Sequence, residues 1–154
     1  MKALDLFCGQ GGASMGLHRA GFDVTGVDHA LQPRYPFAFI QSDALMVPLD
    51  GFDLIWASPP CQRYSMYSRN VGTAENHPDL IEPIRERLKA SGTPSIIENV
   101  EGAPLMASVI LCGSMFGLGV RRHRLFECSF QIGRMLPPCD HRIPAIPVFG
   151  NGTP

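Results

Sequence analysis

The stretch Asp5-Leu6-Phe7-Cys8-Gly9-Gln10-Gly11-Gly12 decides the fold. An apolar run, Ala3–Phe7, reads as a buried strand and stops in a turn built largely of glycine. Residues Ala13–Ala20 then follow as a helix closed by Gly21. Glycines between a strand and a helix let the backbone approach a ligand closely. The spacing is near, but not identical to, the dinucleotide G-x-G-x-x-G pattern. Outward from this unit, apolar runs alternate with helical periodicity. Strands are expected at Phe22–Val27, Phe37–Gln41, Asp53–Ala57, Ser95–Ile97 and Leu125–Phe130. Helices are expected at Asp79–Ala90, with Gly92 just beyond, and at Leu105–Leu111. That alternation predicts an α/β fold with a mostly parallel sheet.

Composition agrees with one packed domain. The chain has 154 residues, of which 45% are hydrophobic and 18% charged, so wholesale disorder is excluded. No apolar run approaches the ~20 residues of a membrane span, and the N-terminus lacks the pattern of a secretory signal. The net charge of −1 provides no global basic field. The cations are eleven Arg and two Lys, a bias toward planar, bidentate recognition. Five cysteines are an odd number, which favours reduced thiols over a disulfide framework. Residues 1–134 are expected to form the cofactor-binding and catalytic domain, and residues 135–154 a Pro/Gly-rich tail or the start of a further segment. Gln62–Pro78 is polar and aperiodic; a loop of that length inside a compact domain is usually functional.

Four groups of residues carry chemistry, each at an expected strand end. Beyond the glycine turn, Asp28 and Asp43 fall at the ends of the second and third strands. A carboxylate roughly 20 residues after such a turn suits two ribose hydroxyls. The plainer reading is two solvated aspartates, but with the glycine turn the pair favours an adenosine-containing cofactor. Ser58-Pro59-Pro60-Cys61-Gln62 follows the fourth strand. A lone cysteine is more often an apolar filler. At a strand end, with two prolines fixing its presentation and a polar loop after it, Cys61 reads as a nucleophile. Glu98-Asn99-Val100 ends the fifth strand and offers a carboxylate that can share a proton with a ring nitrogen. Arg121-Arg122-His123-Arg124 can polarise a carbonyl or stabilise a thiolate, against the plainer reading of a solvated basic turn.

In this order the four groups resemble the DNA (cytosine-5)-methyltransferase family, over most of the chain from Asp5 to about Phe126. Asp5–Gly12 looks like its cofactor loop, Pro60-Cys61-Gln62 like its catalytic Pro-Cys-Gln, and Glu98-Asn99-Val100 like its Glu-Asn-Val motif. Arg122 and Arg124 look like its arginine motif. The resemblance implies a Rossmann-like, S-adenosylmethionine-dependent methyltransferase fold, with cytosine in DNA as substrate. It implies that Cys61 adds to cytosine C6, Glu98 holds or protonates N3, and Arg124 contacts the base carbonyl. Arg122 would support the same pocket and Asn99 would brace the Glu98 loop. The cofactor contacts carried over are Phe7, Gly9, Gly11, Asp28, His29, Asp43 and Pro60, with His29 in the place of a larger stacking residue.

The family's Gln before the two arginines is replaced by Val120. Neither a target-recognition domain nor the family's returning final helix has a candidate in these residues. The expectation is therefore a minimal catalytic domain of the kind a phage or bacterium carries, or a fragment of one, cytoplasmic, with a partner chain as a possible source of those parts. A cofactor-binding remnant and a methyltransferase of unpaired or free pyrimidines are the alternatives, separated by cofactor-binding, DNA-binding and substrate-panel assays. Cys128, Cys139 and His141 offer three zinc ligands, but the C-x-H spacing is uncommon and no fourth ligand is evident. No metal is expected, and Cys8 and Cys112 are assigned to the core.

Overall fold

The computed structural model describes residues 1–132, 136–142, 144 and 146. Seven strands form one sheet: β1 (Lys2–Leu6), β2 (Asp23–Asp28), β3 (Ala38–Gln41), β4 (Leu54–Ala57), β5 (Ser95–Asn99), β6 (Val109–Cys112) and β7 (His123–Cys128). Their order is β3-β2-β1-β4-β5-β7-β6. Strands β1 to β5 are parallel, and β7 runs antiparallel to both β5 and β6. The helices are α1 (Gly12–Arg19), α2 (Met66–Asn70) and α3 (Ile81–Ser91). The strand order reverses between β1 and β4. The crevice beyond the carboxyl ends at such a reversal is where open α/β sheets take their ligands. The glycine turn follows β1 and Cys61 follows β4, so the topology brings both to this crevice.

Side-chain alternation builds a core on each face of the sheet. Leu4, Leu6, Val27, Ile55, Ala57 and Ile97 pack with Ile84 and Leu88 of α3. Ala3 and Val24 pack with Leu17 of α1. The same alternation turns Asp5 onto the α1 face, where it is fully buried. Gly92, at φ 66°, stops α3 in the left-handed conformation that glycine adopts without penalty. Buried Arg85 of α3 clamps the helix to β7: its Nε and Nη2 donate to the two Glu127 oxygens at 2.8 and 2.9 Å.

Two expectations are corrected. Leu105–Leu111 is not a helix. Ala107 has φ 43°, and Val109–Cys112 is strand β6. A short apolar run reads alike for a buried strand and a helix segment; here the β-branched Val109 and Ile110 sit on the pleat. Strand β7 begins at His123 rather than Leu125, so His123 and Arg124 lie within the sheet and Arg122 just before it. The polar Gln62–Pro78 segment carries a short helix, α2, whose N-cap Ser65 accepts from the Ser68 N–H at 3.2 Å.

Candidate active site

A cleft of about 440 Å³ opens at the ends of β1, β2 and β4, lined among others by Phe7, Asp28, His29, Asp43, Ser58 and Pro60. This size lies in the range of small-molecule sites. Five of the seven cofactor residues named from sequence line it, and the remaining two shape the turn beneath. Gly9 donates its N–H to Asp28 Oδ2 at 3.0 Å, and Ala30 donates to Oδ1 at 3.0 Å. The Asp28 carboxylate is thus fixed by two backbone donors, with acceptor capacity to spare. Exposed His29 lies 3.2 Å from Asp28 Oδ1 through its Nδ1. Gly11, at φ 88°, lies beneath Tyr35 and Pro36; a Cβ there would stand 3.1 Å from each. Phe7 has φ 62°, a conformation that costs a non-glycine residue energy and is concentrated at ligand sites. Asp43 is held at the rim by the Leu45 N–H, which donates to Oδ1 at 2.8 Å. Ser58, Gln62 and Leu80 also line the cleft. Strand-end logic could have found Ser58 and Gln62, which flank Cys61; Leu80 has no sequence signal beyond its helix.

Beneath the glycine turn lies a network that was not foreseen. The Ser14 hydroxyl, on α1, donates to Asp5 Oδ2 and lies 2.7 Å from the Tyr35 hydroxyl. Asp5 Oδ1 is buried without a partner among the described residues. Burial pushes the Asp5 carboxyl up to about 6, against the lowering effect of the Ser14 hydrogen bond. Cys8 is held apart from any nucleophilic role: burial, then the negative charges of Asp5 and Asp28, push its thiol up to about 12.

The second half of the site is built across β4, β5 and β7. Cys61 is half-buried in the turn after β4, its carbonyl accepting from the Tyr64 and Ser65 N–H groups at 3.0 Å each. Asn99, 1% exposed at the end of β5, donates through Nδ2 to the Pro59 carbonyl at 2.9 Å. Its Oδ1 accepts from the Val100 N–H at 2.9 Å. Asn99 therefore braces the turn that presents Cys61 as well as its own loop. Glu98 pairs with Phe126 in the antiparallel β5–β7 register, which sets Arg124 diagonally opposite on the same face. Arg124 Nε meets Glu98 Oε1 at 3.0 Å, with both side chains about four-fifths buried. Arg122 is exposed; it lines a separate cleft of about 720 Å³ with Glu101, Val120, Arg121, His123 and Arg124.

Of the three zinc ligands considered from sequence, Cys139 and His141 are brought together and Cys128 is not. Cys128 sits at the far end of β7, opposite Ile96. Cys139 and His141 instead meet Cys112 and His123. Cys112 is buried as expected, but at the edge of this cluster.

A family model of C-5 cytosine-specific DNA methylases matches residues 1–108. The chain belongs to that family. The type II methyltransferase M.HgiDI of Herpetosiphon aurantiacus is 28% identical over 167 residues, covering 86% of this chain and 53% of that protein. The chain thus spans about half the length of this curated relative. Among solved structures, the Entamoeba histolytica methyltransferase EhMeth aligns over 88% of this chain and 55% of its own, with a TM-score of 0.55 at 13% identity. The Pyrococcus abyssi tRNA (uracil-54, C5)-methyltransferase, in complex with S-adenosyl-L-homocysteine, aligns over 82% of this chain and 33% of its own, with a TM-score of 0.51 at 19% identity. These likenesses are ones of fold, and the C-5 methylase chain has the Rossmann-like fold of S-adenosylmethionine-dependent methyltransferases. Among the described residues no helix is long and apolar enough to cross a membrane.

Proposed function

We propose that this chain carries the machinery for methyl transfer from S-adenosylmethionine to C5 of cytosine in DNA, through a covalent bond between Cys61 Sγ and cytosine C6. The observation that carries the reading is the convergence of three segments at the carboxyl ends of β4 and β5. Arg124 of β7 ion-pairs with Glu98 of β5, and Asn99 of β5 hydrogen-bonds to the carbonyl of Pro59, two residues before Cys61.

The cleft at the β1/β4 reversal fits the cofactor by its donor set. Asp28 keeps free acceptor sites for ribose hydroxyls, Asp43 at the rim can accept from an adenine amine, and Phe7 and Pro60 supply apolar walls. When bound, S-adenosylmethionine supplies an electrophilic methyl group. Cytosine C5 is a poor nucleophile. Addition of the Cys61 thiolate to C6 moves an electron pair toward C5, and Glu98 holds the proton at N3 that offsets the charge developing on the ring. Arg124 presents its guanidinium to the base carbonyl from a position fixed by the ion pair with Glu98. Once C5 carries the methyl group, loss of the C5 proton to a base and departure of the Cys61 thiolate from C6 restore the aromatic ring. In this reading the segment after Cys61, with α2, covers a base extruded from the duplex, because chemistry at C5 requires the base to leave the stack.

Methyl transfer from labelled cofactor to duplex DNA, compared between wild type and Cys61→Ala, tests the reading. Loss of an attacking nucleophile costs several powers of ten in rate. Transfer that survives Cys61→Ala overturns the covalent route.

A further inference from the structure

Four side chains converge at the loop end of the β6–β7 hairpin, and the proposed chemistry uses none of them. Cys112 closes β6 and His123 opens β7, and the two are direct cross-strand partners. Cys139 and His141, separated by one residue, return to them from the segment beyond β7. The thiol sulfurs and one ring nitrogen from each histidine all lie within 4.8 Å of one another. The Cys139 Sγ stands 2.8 Å from His141 Nε2 and 3.4 Å from His123 Nε2, and Cys112 Sγ stands 3.8 Å from His141 Nε2.

We propose that Cys112, His123, Cys139 and His141 form a structural zinc site that ties the segment after β7 to the hairpin carrying Arg124. A tetrahedral zinc ion with two sulfur and two nitrogen ligands has edges of ~3.3–3.8 Å. The three distances are sulfur–nitrogen edges, expected at ~3.6 Å; two lie within about 0.2 Å of that, and the third needs a shift of about 0.8 Å. The donor set is specific: two soft thiolates and two imidazoles suit zinc, whereas magnesium and calcium take oxygen. Two thiolates also neutralise the ion's charge, which suits a site where Cys112 is 1% exposed. All four positions are protein ligands, so the site is closed and structural, with no place for a reacting water.

The surroundings fit the same role. Buried Ser114 donates its hydroxyl to Cys112 Sγ at 3.3 Å and lies 3.2 Å from Cys139 Sγ. Glu101 Oε2 lies 3.8 Å from His123 Nδ1, the ring nitrogen turned away from the cluster. A carboxylate behind a ligating imidazole orients the ring and raises its basicity. His123 immediately precedes Arg124, so the metal would fix the backbone from which that guanidinium reaches Glu98.

Metal analysis of the full chain, purified without chelator, tests the proposal. About one zinc per chain is expected, falling at least about tenfold in Cys139→Ser and in His141→Ala. Both of these residues are exposed, and circular dichroism checks that each variant remains folded. Cys128→Ser is the control: Cys128 lies on the same strand as His123, about 17 Å along it at the usual rise, and should keep its zinc. Cobalt(II) titration should give the intense visible bands of a tetrahedral thiolate site in wild type and lose them in Cys139→Ser. The proposal is overturned by less than about 0.1 zinc per chain after refolding with zinc. Equal zinc loss from Cys128→Ser, or a Cys112–Cys139 disulfide in freshly purified protein, overturns it as well. The readout is metal content, so it is independent of whether methyl transfer occurs.

Discussion

Asp5→Asn isolates the cost of the carboxylate under the glycine turn. Asp5 is fully buried, and among the described residues its Oδ1 has no partner. Burial, opposed by the Ser14 hydrogen bond, raises the folded-state pKa from 3.8 to about 6. The sign follows from linkage. Between these two values the unfolded chain has released the Asp5 proton and the folded chain still holds it. Raising the pH through that window therefore destabilises the fold. Above about 6 the full difference applies, about 3 kcal/mol against a state in which both forms are protonated. Integrated between pH 5 and pH 7.5, the loss assigned to Asp5 is on the order of 1 kcal/mol. Urea unfolding of wild type and Asp5→Asn at both pH values measures it. The asparagine's own hydrogen-bonding cost and all other titrations cancel in the double difference. Wild type should lose on the order of 1 kcal/mol more than the variant on going to pH 7.5. Equal pH dependence in the two proteins refutes the reasoning and places the Asp5 charge in contact with water or an unseen donor.

Two other substitutions test how the site is held. Asn99→Ala leaves the Pro59 carbonyl and the Val100 N–H without their partners. At about 1–3 kcal/mol for each of the two orphaned groups, denaturant unfolding should show a loss of about 2–6 kcal/mol. The rate of methyl transfer should fall with it, since Cys61 is presented by the same turn; unchanged stability and rate would sink the bracing role. Gly26→Ala sets a Cβ 2.2 Å from Tyr35 Cζ and 2.8 Å from Cys8 Sγ, which costs about 1–3 kcal/mol by overpacking. Combining it with Tyr35→Ala should recover part of that loss in a double-mutant cycle, and strictly additive losses would show that the contact with Tyr35 is not the cause.

The sheet was legible because its strands are buried and punctuated. In β1, β2, β4 and β5 an apolar run ends at Gly, Asp, Pro or Glu, and those end residues stand at the crevice where the chemistry belongs. Asp28, Cys61 and Glu98 could be placed for that reason alone. Strand β6 was not legible. Leu105–Leu111 is too short for periodicity to separate helix from strand, and the pairing with β7 that decides it is a tertiary fact. Asn99 was legible as a brace for its own loop, but its hydrogen bond to Pro59 spans forty residues of sequence. The Asp5–Ser14–Tyr35 network joins a strand, a helix and a loop, so no local spacing announces it.

The Cys/His cluster shows why ligand spacing misleads when a hairpin intervenes. Read along the chain, Cys128 is the nearest cysteine to Cys139, and Cys112 lies far upstream in what looks like core. The antiparallel β6–β7 register inverts that order. It pairs Cys112 with His123, and it carries Cys128 to the opposite end of the strand. His123, read as one member of an arginine run, becomes the cross-strand partner of a buried thiol. The same register sets Arg124 opposite Leu111 on one side and diagonal to Glu98 on the other. One hairpin therefore fixes both the guanidinium of the site and half of the cluster. A change that frees the segment beyond β7 from Cys112 and His123 should disturb the Arg124–Glu98 pair before it disturbs the cofactor cleft, which stands on β1, β2 and β4. Comparing cofactor affinity with the rate of transfer in Cys139→Ser separates the two. Weaker cofactor binding with an unchanged rate at saturation contradicts this division of labour.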